Sequence, residues 1–520
     1  MKLRRRHRPD SITGYWNGNH DRRATARSET DQGTIVWHIE SINVFVRELP
    51  PDRGAFVIGR QQSVEADADP KKRRPRGLLV VRLDLADDNG NRTWGVSGDR
   101  PSFGWLDKRE TYSPEKKLQR LLDLVESARN IYLNSPRFKS PFELVVENAD
   151  EVTRTGRAAD HEALSCSFAA ALFERALIDA VCRIQKLSLF QAVRQNRLGF
   201  DPQLVFPELK NFRLEPFLPQ RPLTTFNIRH TVGLTDPLTK DDLPDDARLN
   251  DGEPETLEEY VAHDGLRYLK VKISGDADAD LARLGQIWDV MARTDQPVIT
   301  LDGNESYQDL DAFARFVETF EEKRLGLFQH TAFIEQPLTR TLTLDAKTSA
   351  TVAAISQKKP LVIDEADGSL HAFHDAFQIG YFGTSHKNCK GFFKSLLNFC
   401  LTRHFETQQG RAAFQTGEDL SNMPLVPLHQ DFAALGVLGI DHCERNGHHY
   451  SFGLQHLTDA ERQLTRMHHP DLYVERHGGL FLKIQHGRVD CRSLQTPGFG
   501  VAFPPDFEHL TPVSNWQIEW

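Results

Sequence analysis

YLKVKI (268–273), TLDGNES (300–306), AFIEQPL (332–338), LVIDEAD (361–367) and GTSHKNCKG (383–391) repeat one pattern: a short apolar run, one or two charged residues, then a turn or helix-like stretch. Short apolar runs bounded by turn signals read as buried strands. TTFNIRHTV precedes the set, and AAFQTG and GVLGID follow it, which makes eight strands. Helical spacing predicts helices between them at 278–294, 307–323, 343–357, 391–407 and 423–435. Strand–helix alternation implies right-handed crossovers and a parallel sheet. Eight such units over about 250 residues close a barrel.

The 520 residues exceed one ordinary domain. A hydrophobic content of 39% with 26% charged residues suits a globular protein with a sizeable core. A net charge of -9 argues against a general nucleic-acid binder. No apolar run approaches the roughly 18 residues of a membrane span. The six cysteines show no CxxC spacing, which leaves zinc and redox motifs unsupported and points to a reducing cytoplasm.

Outward from the barrel, four regions emerge. Residues 1–34 are basic, lack the apolar core of an export signal and read as a flexible tail. Residues 35–222 read as an α+β capping domain. TIVWHIESINVFVREL, GAFVIG and GLLVVRLDLAD are expected to form a three-stranded antiparallel sheet, with DDNGN as a hairpin turn. PKKRRPRG (70–77) is a solvated basic loop or a mobile lid over an anionic substrate. Residues 114–215 are mostly helical, and the Ala-rich run around Ala169, Ala170, Ala171 and Ala176 marks a helix that sits close to a neighbour. Glu174 and Asp179 on it are expected to serve the core or the surface. Residues 223–469 form the barrel, and 470–520 return as strands and turns to the cap.

In parallel barrels, functional side chains sit at the C-terminal strand ends. Lys270 and Lys272 share one strand face, with Val271 turned away. Two lysines buried together need anions nearby. Desolvation and mutual repulsion are expected to lower their pKa values towards use as a general base. Asp302, Glu335 and Asp364 end three successive strands, and three carboxylates suit a hard divalent cation such as Mg²⁺. Glu365 is the fallback ligand, expected to point outward. Asn304 would orient Asp302 or touch the substrate. Lys387 ends the sixth strand, nearly opposite Lys272, and Lys390 is the second choice for that place. Arg229, His230 and the basic loop would complete an anion-binding pocket.

These residues carry a resemblance. The chain is similar to the enolase superfamily, in its muconate-lactonizing-enzyme and mandelate-racemase-like branch, over roughly 35–510. The resemblance implies a modified TIM (β/α) barrel with an α+β cap. It implies Lys272 as acid/base within the motif Lys270-x-Lys272, Asp302, Glu335 and Asp364 as ligands of Mg²⁺, with Mn²⁺ as a substitute, and Lys387 as the sixth-strand lysine. The activity implied is abstraction of the proton α to a carboxylate of a small-molecule substrate through a metal-stabilised enediolate. The outcome would be racemisation or epimerisation, dehydration or cycloisomerisation. Barrels of this family are commonly homo-oligomers. QTGED (415–419) has no histidine, against a His-Asp base, and DHCERNGHHY (441–450) matches no subgroup. Two other readings stand beside this one. A metal-dependent aldolase or hydrolase would use histidine ligands or a lone Schiff-base lysine. A non-catalytic or differently specialised barrel of the same superfamily would retain metal binding.

Overall fold

A computed structural model describes residues 35–54, 76–420 and 423–518. The expected tail at 1–34 lies outside them. So do most of GAFVIG and of the PKKRRPRG loop.

The first layer is an antiparallel sheet of β1 (Trp37–Glu48), β2 (Gly77–Asp87) and β3 (Arg92–Asp99), with Thr511–Pro512 paired on the outer edge of β1. RTWGVSGD pairs with the other edge of β2, and the expected strand GAFVIG falls mostly outside the described residues. The Asn-Gly turn sends the chain straight back along β2, with Gly90 at φ +80°. Helices follow, among them α1 (Phe103–Leu106), α2 (Pro114–Leu133), α3 (Pro141–Ala158) and α4 (Ala163–Ile184). Ser113 and Ser140 cap α2 and α3, each with Pro at the first helical position. The Ala-rich α4 lies hard against β3, where a Cβ on Gly95 would collide with the backbone at Ala176 and Ala180. Asp179 serves this packing, accepting from Val96 N at 2.9 Å and Phe499 N at 2.6 Å.

The second body is a closed parallel barrel. Its strands are β4 (Thr225–Val232), β5 (Tyr268–Lys272), β6 (Val298–Asp302), β7 (Thr331–Glu335), β8 (Leu361–Ile363), β9 (Gly383–His386), β10 (Phe414–Gly417) and β11 (His442–Arg445). Neighbours pair in sequence order, and β11 closes on β4. One expected strand is displaced. GVLGID is largely the end of the helix Val426–Leu438, which is capped by Gly439 at φ +71°, and the eighth strand is the following HCER. That helix is buried along its whole length, so its last turn has the apolar character of a core strand.

The C-terminal residues are fastened to the barrel through histidines kept neutral by burial. His429 meets Tyr473 Oη at 2.9 Å, His456 donates to Pro424 O at 2.6 Å, and His469 meets Ser493 Oγ at 2.9 Å. Burial holds His429 well below the usual imidazole range and lowers His456 and His469 to about 4. At His456 and His469 an unfolded chain takes up the proton near pH 6.5 and the folded one only near pH 4. The contribution is therefore complete above pH 6.5 and is lost as pH falls towards 4. We expect urea unfolding to show a loss on the order of 3 kcal/mol for each of His456 and His469 across that window. His469→Gln should flatten the dependence.

Candidate active site at the barrel mouth

Register brings the candidate residues into one ring. Lys272, Asp302 and Glu335 stand side by side at the ends of β5, β6 and β7. Asp364 follows β8, Lys387 follows β9 and Glu418 follows β10. Glu444 lies on β11, opposite Arg229 of β4. All are buried.

Lys270 is the hub. Its Nζ lies 2.9 Å from Asp302 Oδ2, 2.8 Å from Glu335 Oε2, 2.6 Å from Glu418 Oε2 and 3.0 Å from Glu444 Oε2. The expected shift towards neutrality does not occur here. Burial alone would lower this amine, but the charges of Asp302, Glu335, Glu418 and Glu444 override it and hold Lys270 well above the ordinary lysine value. Lys387 behaves likewise. Burial opposes its charge, and Asp364 Oδ2, 2.8 Å from its Nζ, holds the pKa up. Lys272 donates to Asp302 Oδ2 at 2.6 Å.

The three expected metal ligands have different surroundings. Asp364 Oδ1 accepts from Ser385 Oγ at 2.5 Å and Lys390 Nζ at 3.1 Å. Its backbone N–H donates to Gln336 Oε1. Burial would raise its pKa, but Lys387 and Lys390 pull it well below the carboxylate range. Burial of Asp302 is likewise outweighed by Lys270 and Lys272. Glu335 is the exception. Both its oxygens are buried and accept no hydrogen bond among the described residues; Lys270 is close but outside hydrogen-bond geometry. Burial, then repulsion from Asp302 and Glu418, push it well above the usual range.

A hard divalent cation fits this donor set by chemistry: three oxygen ligands, one of them bare and raised by repulsion that positive charge would relieve. As placed, lysines hold the oxygens, and no three acidic, histidine or cysteine side chains among the described residues form a ready chelate.

The remaining candidates divide. Asn304 N donates to Asp302 Oδ1 at 2.9 Å and its amide donates to Glu365 Oε1 at 2.9 Å, so it orients acids. Lys390 supports Asp364 from below. Arg229 is fully buried and committed to Thr416 Oγ1, Gly417 O and Glu418; it braces Glu418 instead of lining an open pocket. His230 is not brought to the ring. Strand alternation turns it away from Arg229 and Thr231, and it stacks on His448 at 4.0 Å in a separate cavity of about 120 Å³.

The cap supplies residues the sequence reading did not single out. The Trp105 ring lies 4.6 Å from Lys387 Nζ. Lys108 Nζ reaches Asn304 O at 2.7 Å, Glu365 Oε1 at 2.9 Å and Glu305 Oε2 at 3.0 Å. Glu365 is thereby a cap-to-barrel tie. Arg340 binds Glu305 through Nε at 3.0 Å and Nη2 at 2.9 Å, and it also donates to Leu106 O and Trp105 O. Glu418 and Glu444 were missed as well. The one usable signal was that Glu418 follows FQTG as Asp364 follows LVI.

No family model and no curated protein matches the chain. Solved structures do. A muconate lactonizing enzyme from Klebsiella pneumoniae aligns with a TM-score of 0.52 at 17% identity, over 91% of this chain and 98% of that one. A 2-chloromuconate cycloisomerase from Rhodococcus opacus 1CP gives 0.53 at 13% identity, over 91% and 98%. The chain has the fold of enolase-superfamily barrels. An L-talarate dehydratase from Polaromonas sp. JS666, complexed with Mg and L-glucarate, aligns at 0.52 and 13% identity over 92% and 96%.

Arg340 joins barrel and cap, so Arg340→Ala should leave Glu305 with only Lys108 and the backbone N–H of residue 340, and free α1. We expect a loss of about 2 kcal/mol in urea unfolding, together with faster proteolysis within 103–110.

Proposed function

We propose that the chain is a Mg²⁺-dependent lyase or isomerase of the enolase superfamily, abstracting the proton α to the carboxylate of a small-molecule substrate. One observation carries this reading: the undonated Glu335 carboxylate sits between Asp302 and Asp364, while Lys272 and Lys387 rest on those two acids from strands four apart in the eight-strand ring. Asp302, Glu335 and Asp364 would hold the ion. When bound, it supplies positive charge for the substrate carboxylate, where negative charge builds as the proton leaves.

The chain's own groups then have separate roles. Asp364 and Trp105 keep Lys387 as an ammonium, so Lys387 is the proton donor or charge-stabilising member. Lys272, the acid/base that the resemblance implies, is the base that takes the α-proton, the C–H electron pair passing into the substrate carboxylate. Return of a proton from Lys387 gives racemisation or epimerisation. Donation to a β-leaving group gives dehydration. Charge stabilisation alone suits cycloisomerisation. Bound glucarate and tartrate in neighbouring structures of this fold point to hydroxy acids as the first substrates to try.

A second reading has one observation in its favour. Each lysine at the mouth is already paired with an acid, as in a differently specialised or non-catalytic barrel.

The test is α-proton exchange in D₂O with Mg²⁺, read by NMR over sugar acids, dipeptides and amino-acid derivatives. Exchange is expected for at least one acid, and silence across the panel would favour the second reading. Lys272→Ala should fold and lose exchange by about a hundredfold or more; retained exchange would mean the base is elsewhere. Asp364→Asn should weaken Mg²⁺ binding about tenfold or more, with Glu365→Gln near wild type. The reverse order would move the ligand role to Glu365.

A further inference from the structure

The two segments that the resemblance leaves without a role, QTGED (415–419) and DHCERNGHHY (441–450), meet inside the barrel. Glu418 is completely buried. Its Oε1 accepts from Arg229 Nη2 and from Thr416 Oγ1 at 3.0 Å, and its Oε2 from Lys270 Nζ at 2.6 Å. Glu444 is equally enclosed. Its Oε1 accepts from Thr231 Oγ1 at 2.8 Å, and its Oε2 from Lys270 Nζ at 3.0 Å and Asp419 N at 3.1 Å. Both carboxylates are therefore fixed by neighbours other than the lysine.

Lys270 treats its four acids unequally. An ammonium has three protons to donate. Its well-formed hydrogen bonds go to Glu418 and Glu444 on the β10–β11 side. Asp302 and Glu335, on the β6–β7 side, are near it only as charges. Neutralising either glutamate would leave only the other holding the ammonium to that wall and would free a proton of Lys270 for Asp302 or Glu335.

We propose that Glu418 and Glu444 are positioning residues, which hold the Lys270 ammonium to the β10–β11 wall and so keep Asp302 and Glu335 available to a divalent cation. The link to the cation rests on the function proposed above; the anchoring of Lys270 does not.

The test is a double-mutant cycle of Glu418→Gln and Lys270→Met, with two readouts: Mn²⁺ affinity by titration calorimetry, and stability by urea unfolding. The glutamine oxygen still serves Arg229, so Glu418→Gln removes charge more than shape. We expect it to weaken Mn²⁺ binding about tenfold or more, and to have no such effect in the Lys270→Met background. Equal weakening in both backgrounds would overturn the proposal, because Glu418 would then act without Lys270. If the wild-type protein binds no Mn²⁺, the proposed function fails, and the urea cycle alone decides the anchoring: coupled substitutions support it, additive ones overturn it. Glu444→Gln, whose single amide oxygen can still accept from Asp419 N while its amide N–H donates to Thr231 Oγ1, gives an independent cycle with the same expectation if Glu418→Gln does not fold.

Discussion

A buried ammonium inside a ring of buried carboxylates is the constraint on which this structure depends. An isolated charge of either sign in such a place is prohibitive, and a pair is tolerated only when geometry and further hydrogen bonds are good. Lys270 meets that condition through four acids from four different strands. Those acids in turn require Arg229, Thr231, Thr416 and Lys272. Apart from Thr416, two residues from Glu418, none of these partners is local in sequence. The contacts of Arg229, Thr231 and Lys270 with Glu418 and Glu444 form only when β11 closes on β4, so closure of the barrel and neutralisation of those two acids are one event. Glu335, which that network leaves without a hydrogen-bond donor, is where the balance is incomplete.

The cap is welded to this ring by polar contacts as well as by apolar burial. Glu174 of α4 accepts from Phe393 N, at the start of a barrel helix, at 2.6 Å. Arg47 of β1 pairs with Glu461 at 2.5 Å. Around α1, Lys108 binds the turns after β6 and β8, and Arg340, from the segment after β7, binds Glu305 and Leu106 O. These are the turns that follow the strands bearing Asp302, Glu335 and Asp364. The cap thus fixes the loops from which the mouth is built, and Trp105 forms wall beside Lys387. Substrate choice, on the proposed function, belongs to this seam.

Much of this was legible in the residues. The repeated apolar run with a terminal charge places Lys272, Asp302 and Glu335 at the strand ends that register pairs, and Lys387 directly after its strand, because strand alternation is a local property. Misplacement of the eighth strand had a specific cause. A helix apolar all round and a buried strand look alike over six residues, and GVLGID was read as the latter. That displacement hid Glu444, which lies three residues beyond the misread segment. By sequence, His230 groups with Arg229 in an anion-binding pocket; one step of strand alternation sends the two to opposite sides.

The sequence by itself determined the order of the elements, the closed parallel barrel with its cap, and the presence of acids and lysines at successive strand ends. These follow from period, spacing and turn chemistry, which act over a few residues. The tertiary structure alone decided which charge faces which, and therefore what each group can do. Lys270 was expected to be a lysine eased towards neutrality by Lys272. It is instead an ammonium fixed by glutamates 148 and 174 residues away. Electrostatic energy depends on distance and on exclusion of water. Neither is defined until the ring has closed.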